Sequence, residues 1–180
     1  MKAIKPLLFL FTVLVLGSCG SNSMLGEKVK EPFTGSKYES NSRFFRGTGK
    51  GVSVKDNIAR SKADLEAKNQ LAAQVSTTMK NVTDQYLGQT EEANAADVAD
   101  KFQSLTRQVM NTGLADLRKI GEEKYSDGTN YTVFVAYEIK KNAMFRFMKK
   151  QAKTDSKIDK VTLKAMEDIL DRQIAETEED

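Results

Sequence analysis

Tyr131-Thr132-Val133-Phe134-Val135-Ala136-Tyr137-Glu138-Ile139 is the stretch on which the fold turns. Tyr131, Val133, Val135, Tyr137 and Ile139 alternate with Thr132, Phe134, Ala136 and Glu138, the period of two that turns one side of a strand toward a core. Ser126-Asp127-Gly128 stands just before it and is a turn signal, because Asp bonds its own backbone and Gly accepts a positive φ. Leu114 to Tyr125 therefore reads as the partner strand of a hairpin, beginning at Ala115 and Leu117, with Gly121 marking a bulge.

Upstream of the hairpin the period changes. Ala59, Ala63, Ala67, Leu71, Val75, Met79, Val82 and Tyr86 recur at spacings of three and four, one stripe of a long helix that starts near Asp56, whose carboxylate is placed to cap its first turn. The first half of the stripe is small and the second half large. Alanine lets a helix approach a sheet closely, so Ala59, Ala63 and Ala67 are expected against strands and Leu71 to Val82 in a thicker core. The basic, glycine-rich Phe44 to Val54 supplies a candidate third strand, its glycines relieving the crossing. Gly88 and the polar run Gln89 to Asn94 end the first helix, and Val98, Phe102, Leu105 and Val109 define a second that folds back on it.

Beyond the hairpin, Lys140 to Lys153 sets Met144, Phe145, Phe147 and Met148 among Lys140, Lys141, Arg146, Lys149, Lys150 and Lys153. Such a helix could lie on an anionic membrane or offer its apolar side to a partner. The need of a small sheet for cover favours a closing helix. Thr154-Asp155-Ser156 then separates a last amphipathic segment, Lys157 to Asp180, with Ile158, Val161 and Ala165 along one edge and Leu163, Met166, Leu170 and Ile174 along another. Its acidic end from Glu176 is expected in solvent. The fold class is α+β: a small antiparallel three-stranded sheet packed against two long helices, in β-α-α-β-β-α order, with an additional C-terminal helix.

The N-terminus decides location. Lys2 and Lys5 precede the apolar Leu7 to Leu16, too short to span a bilayer, and Leu16-Gly17-Ser18-Cys19 follows. This resembles a bacterial lipoprotein signal with its lipobox, which implies a diacylglyceryl thioether on Cys19 and cleavage after Ser18. One acyl chain holds reversibly at ~0.8 kcal/mol per methylene, and the two or three chains of a mature lipoprotein hold firmly. Gly20 at the next position implies export to the outer membrane, with the domain in the periplasm. The expected segments are a signal peptide at 1–18, a flexible tether at 19–42, an α+β domain at 43–153 and the amphipathic helix with its acidic end at 154–180.

Composition removes several function classes. Lys and Arg total 28 and Asp and Glu 25; without Lys2 and Lys5 the count is 26 against 25, a balance that offers nucleic acid no basic surface. The chain has no histidine and a single cysteine, so the usual metal ligands and the commonest general base are missing. No metal, cofactor or catalytic residue is expected. Gly47-Thr48-Gly49-Lys50-Gly51 lacks both the P-loop spacing and the third glycine of a dinucleotide motif.

Phe45-Arg46-Gly47-Thr48-Gly49-Lys50-Gly51, the alanine-spaced run Ala59 to Ala73 and the strand Tyr131 to Ile139, in this order, resemble the LPP20 family of bacterial lipoproteins over roughly Arg43 to Lys150. Related domains occur in envelope and flagellar accessory proteins. The resemblance implies an envelope role and carries no active-site residues.

Two functions remain. The favoured one is a lipid-anchored envelope protein, not an enzyme, with a structural or interaction role: Cys19 holds the membrane, and Phe145, Met148, Leu163, Met166, Leu170 and Ile174 are candidate contacts to an envelope protein or a second copy. The alternative is a periplasmic small-ligand-binding module or enzyme, for which Glu138, near Tyr137 and Lys140, is the candidate polar residue.

Overall fold

The computed structural model describes residues 29–89, 95–112 and 116–178. The chain divides between Lys30 and Glu31, and the architecture is that of the unit from Glu31 onward. Strands β1 (Phe44–Ser53), β2 (Arg118–Ser126) and β3 (Tyr131–Lys140) form an antiparallel sheet in the order β1-β3-β2. Its helices are α1 (Asp56–Gln89), α2 (Ala95–Thr112), α3 (Lys141–Thr154) and α4 (Lys160–Glu176). The α+β class and the three-stranded sheet agree with the sequence reading. The alternating strand is the central one, paired along its whole length with β1 and across a bulge with β2.

Local chemistry explains the hairpin. Asp127 Oδ1 accepts from the N–H groups of Thr129 at 2.8 Å and Asn130 at 2.7 Å, while Gly128 adopts φ 88°. The register slips between Lys119 and Gly121, as Gly121 signalled. Strand β2 starts later than expected. Asp116 takes φ 57°, a left-handed turn incompatible with extended backbone, so the strand begins at Arg118; Leu114 and Ala115 lie outside the described residues.

Helix α1 covers one face of the sheet and runs antiparallel to β1. Two strand residues advance about 6.6 Å and four helical residues about 6 Å, so a glycine every second position meets an alanine every fourth. A Cβ at Gly47 would stand 2.6 Å from the Ala67 carbonyl oxygen, and those at Gly49 and Gly51 would run into the carbonyls of Ala63 and Ala59. The glycines permit this approach, as the sequence suggested.

The same spacing places a second row of α1 along the free edge of β1. Gln74 Nε2 donates to the Arg46 carbonyl at 2.7 Å, and Gln70 Oε1 accepts from Thr48 N–H at 3.1 Å. Glu66 Oε2 accepts from Lys50 N–H at 2.8 Å, and Lys62 Nζ donates to the Val52 carbonyl at 3.1 Å. Side chains four apart on a helix thus take the bonds a further strand would have taken, which closes this edge to pairing.

From Leu71 onward α1 enters a helical core with Val75 and Met79, joined by Val98, Phe102, Leu105 and Val109 of α2, Met144, Phe145 and Met148 of α3, and Met166, Ile169 and Leu170 of α4. Of the two long helices, α1 lies on the sheet, and α2 packs on α1, α3 and α4. Asp159 caps α4 by accepting from the N–H groups of Val161 and Thr162, both at 3.0 Å. Asp56 is no such cap. It is the first helical residue, and its carboxylate turns to Lys124 at 2.9 Å and Arg60 at 3.8 Å.

Residues 31–42, expected as part of a flexible tether, instead pack from Glu31 onward onto the outer sheet face. Phe33, at φ 57°, sits over Gly121, meets Tyr38 edge-on at 5.1 Å, and is followed by a 3-10 turn at Ser36–Tyr38. Glu31 bonds Lys50 at 2.7 Å, and Asn41 Oδ1 accepts from the N–H groups of Arg43 and Phe44. Enough aromatic and polar partners exist on the sheet to hold a glycine- and serine-containing segment that has no period of its own.

Candidate functional site

Of the candidate residues, Ser18 and Cys19 lie outside the described residues. Phe145, Met148, Met166 and Leu170 are buried, and Leu163 and Ile174 pack partly buried against them. This corrects their assignment as an external contact face: the apolar side of α3 found its partner in α4 and α2 of the same chain. Val161, read with Ile158 and Ala165 as one edge of the apolar stripe, is 67% exposed, while Thr162 and Ile169 are buried. The helix begins one residue after its Asp159 cap, and that start sets which side faces inward.

The basic face of α3 is matched in the same way. Arg146 pairs with Glu178, Lys149 with Asp171 at 2.7 Å and Lys153 with Glu167 at 2.8 Å. Numbers rising on α3 and falling on α4 make the two helices antiparallel. Part of the acidic C-terminal end is thereby drawn onto the domain, and half of the cations that suggested a membrane-facing helix are neutralised.

Glu138 lies on the outer sheet face at the end of β3. Its side chain, 12% exposed, takes Arg46 Nε at 3.2 Å and Arg118 at 3.9 Å. Arg46 also donates to the Glu39 carbonyl at 3.0 Å and covers the Phe44 ring at 4.9 Å. These contacts fix the sheet and the segment before it, a structural use of the candidate polar residue.

A third row of α1 meets β2. Asp56, Arg60 and Asp64, with Lys68 one turn further on, face Lys124, Glu122, Lys119 and Tyr137 through Lys124–Asp56, Arg60–Glu122 and Lys119–Asp64 pairs. Tyr137 donates its hydroxyl to Asp64 at 2.8 Å; burial first, and then this bond, raise its pKa, so it stays protonated. Burial works against the charge of Lys119, yet the bond to Glu122 and the field of Asp64 outweigh it and hold the ammonium above its ordinary pKa. Both groups are held in their resting protonation states. Such a row ties helix to sheet.

The cavity with the character of a binding site lies elsewhere, between the second half of α1 and α2. It measures about 390 Å³ and is floored by Met79, Thr83, Leu87, Ala99, Phe102 and Thr106, with Lys80, Asp84, Asp100, Gln103 and Arg107 at its rim. The two threonine hydroxyls are engaged within their own helices: Thr83 donates to the Met79 carbonyl and Thr106 to the Phe102 carbonyl, each at 2.8 Å. Lys80 and Asp84 pair with each other at 2.6 Å on the rim. The groove suits an apolar side chain or a small apolar molecule.

Sequence reading identified Met79 and Phe102 as core and passed over Thr83 and Thr106. Their spacing, four residues after a buried residue on each helix, was the available signal. Among the described residues no three His, Cys, Asp or Glu side chains group as metal ligands, and no helix is long and apolar enough to cross a membrane. No family model, curated protein or solved structure matches the chain.

Proposed function

We propose that this chain is a lipid-anchored envelope protein with a structural or interaction role, held at the outer membrane through Cys19 with its domain in the periplasm. The reading rests on the run Leu16-Gly17-Ser18-Cys19, and the resemblance to LPP20-family lipoproteins belongs to it. The observation in the folded body that supports it is the groove between α1 and α2, an apolar surface edged by charge. A groove of this kind takes an apolar anchor residue from a partner.

Cys19→Ala tests the anchor. The variant should accumulate unprocessed or leave the membrane fraction on washing, and full membrane retention of a processed form would overturn the reading. A photo-crosslinking residue at Leu87 tests the contact. Reproducible adducts to one envelope protein or to a second copy support the interaction role. The volume of the groove also falls within the range of small-ligand sites, which supports a second reading. A small apolar molecule recovered by mass spectrometry from native protein, with no protein adducts, would favour it.

A further inference from the structure

Five cationic side chains gather where β1 begins and β3 runs into α3. The register sets Phe44 opposite Lys140 and Arg46 opposite Glu138, and on the other side Arg118 opposite Glu138. The Lys141 N–H donates to the Arg43 carbonyl at 2.9 Å, which brings Arg43, Lys140 and Lys141 together. Glu138 already serves Arg46 and Arg118. Arg43, Lys140 and Lys141 form no ion pair with a described residue, and Glu39 and Asp116, the nearest acids along the loops, are exposed and make none with them.

Lys141 is the most telling of the three. Its ammonium lies 5.0 Å from the centre of the Phe45 ring, partly buried. Burial without a carboxylate holds its pKa below the ordinary lysine value. A cation that has given up water for an aromatic face has an unmet demand for an anion. On the same helix Arg146, Lys149 and Lys153 meet that demand with Glu178, Asp171 and Glu167, which Lys141 does not.

We propose that this end of the sheet docks on the anionic lipid headgroups of the membrane that holds Cys19. The proposal rests on the lipid-anchor reading. The cations come from the residue before β1, from all three strands and from the start of α3, with Phe44 opposite Lys140, so positive charge is spread over one end of the sheet, as a plane of negative charge requires. Between Cys19 and Glu31 a fully extended chain spans at most ~40 Å, so the anchored domain stays within reach of the surface.

The test uses the mature chain from residue 19 with Cys19→Ser, so that no acyl chain contributes, sedimented with vesicles. Phosphatidylethanolamine vesicles containing phosphatidylglycerol should bind it, and phosphatidylcholine vesicles should not. Binding should fall as ionic strength rises from ~0.1 M to ~1 M. Each cation removed should weaken it roughly fivefold, and Arg43→Gln/Lys140→Gln/Lys141→Gln by on the order of a hundredfold. Arg43→Gln/Lys140→Gln changes only exposed residues and guards against misfolding, while Lys164→Gln on α4 shows what removing one cation elsewhere does. Equal binding by the triple variant and Lys164→Gln, or no binding to phosphatidylglycerol, overturns the proposal. So does a triple variant that binds vesicles normally but loses a protein crosslink in cells. The mass of the Cys19 peptide from cells decides the anchor reading separately.

Discussion

Where α1 crosses β1, nothing larger than a methyl group separates two backbones; from Leu71 onward the same helix joins a core of phenylalanines, leucines and methionines to which three other helices contribute. At the sheet end, contact is limited by distance. Gly47, Gly49 and Gly51 are there because any Cβ would enter the helix backbone, and the flanking rows Lys62, Glu66, Gln70, Gln74 and Asp56, Arg60, Asp64 hold the crossing in register. At the helical end, contact is limited by volume. Met79, Met144, Met148 and Met166 are flexible side chains that fill irregular space. One helix therefore carries two kinds of packing, and substitutions should expose the change between them.

The largest effect is expected from Phe102→Ala, which empties a buried ring from the helical core and should cost about 3–5 kcal/mol in urea unfolding. A loss under ~1 kcal/mol would mean that this end collapses freely around cavities. Gly49→Ala adds a single methyl group at the sheet end and should cost about 1–3 kcal/mol, because the obstruction is backbone and cannot rotate away. If it is neutral, the crossing is looser than described. Met148→Leu, a swap of similar volume in the helical core, should stay below about 1.5 kcal/mol and so separates the two packing rules.

Smaller effects probe the sealing rows. Glu66→Ala and Gln70→Ala each free one N–H of β1 and should cost no more than ~1 kcal/mol. Together they should raise self-association in sedimentation, since an unsealed edge pairs with other strands. A double variant that remains monomeric at high concentration would show the seal to be redundant. The smallest effect concerns pH. Backbone bonds from Thr162, with a lesser contribution from Val161, lower the Asp159 pKa below its unfolded value. Its contribution to α4 is therefore complete above the usual carboxylate range and is lost as the pH falls through the lowered value. Asp159→Ala should destabilise the protein near neutrality and lose that share of the acid sensitivity, visible as converging thermal midpoints of the two proteins in acid.

The sequence by itself determined the elements of this protein and the reason for its glycines. Alternation from Tyr131, alanines four apart from Ala59 and the Asp127-Gly128 turn are local signals, and local geometry obeyed them. Tertiary structure alone decided the rest. The apolar stripes of α3 and α4 are legible as stripes, but a stripe does not say which surface covers it, and Phe145, Met148, Met166 and Leu170 covered one another. Segment 31–42 has no period, and its order comes from Phe33 finding Gly121 on a strand almost ninety residues away. The α1–α2 groove and the unpaired cations at Lys140 and Lys141 were hidden for the same reason. Each depends on what the rest of the chain does or does not bring against it, and pairing across space depends on packing and register that no window of sequence contains.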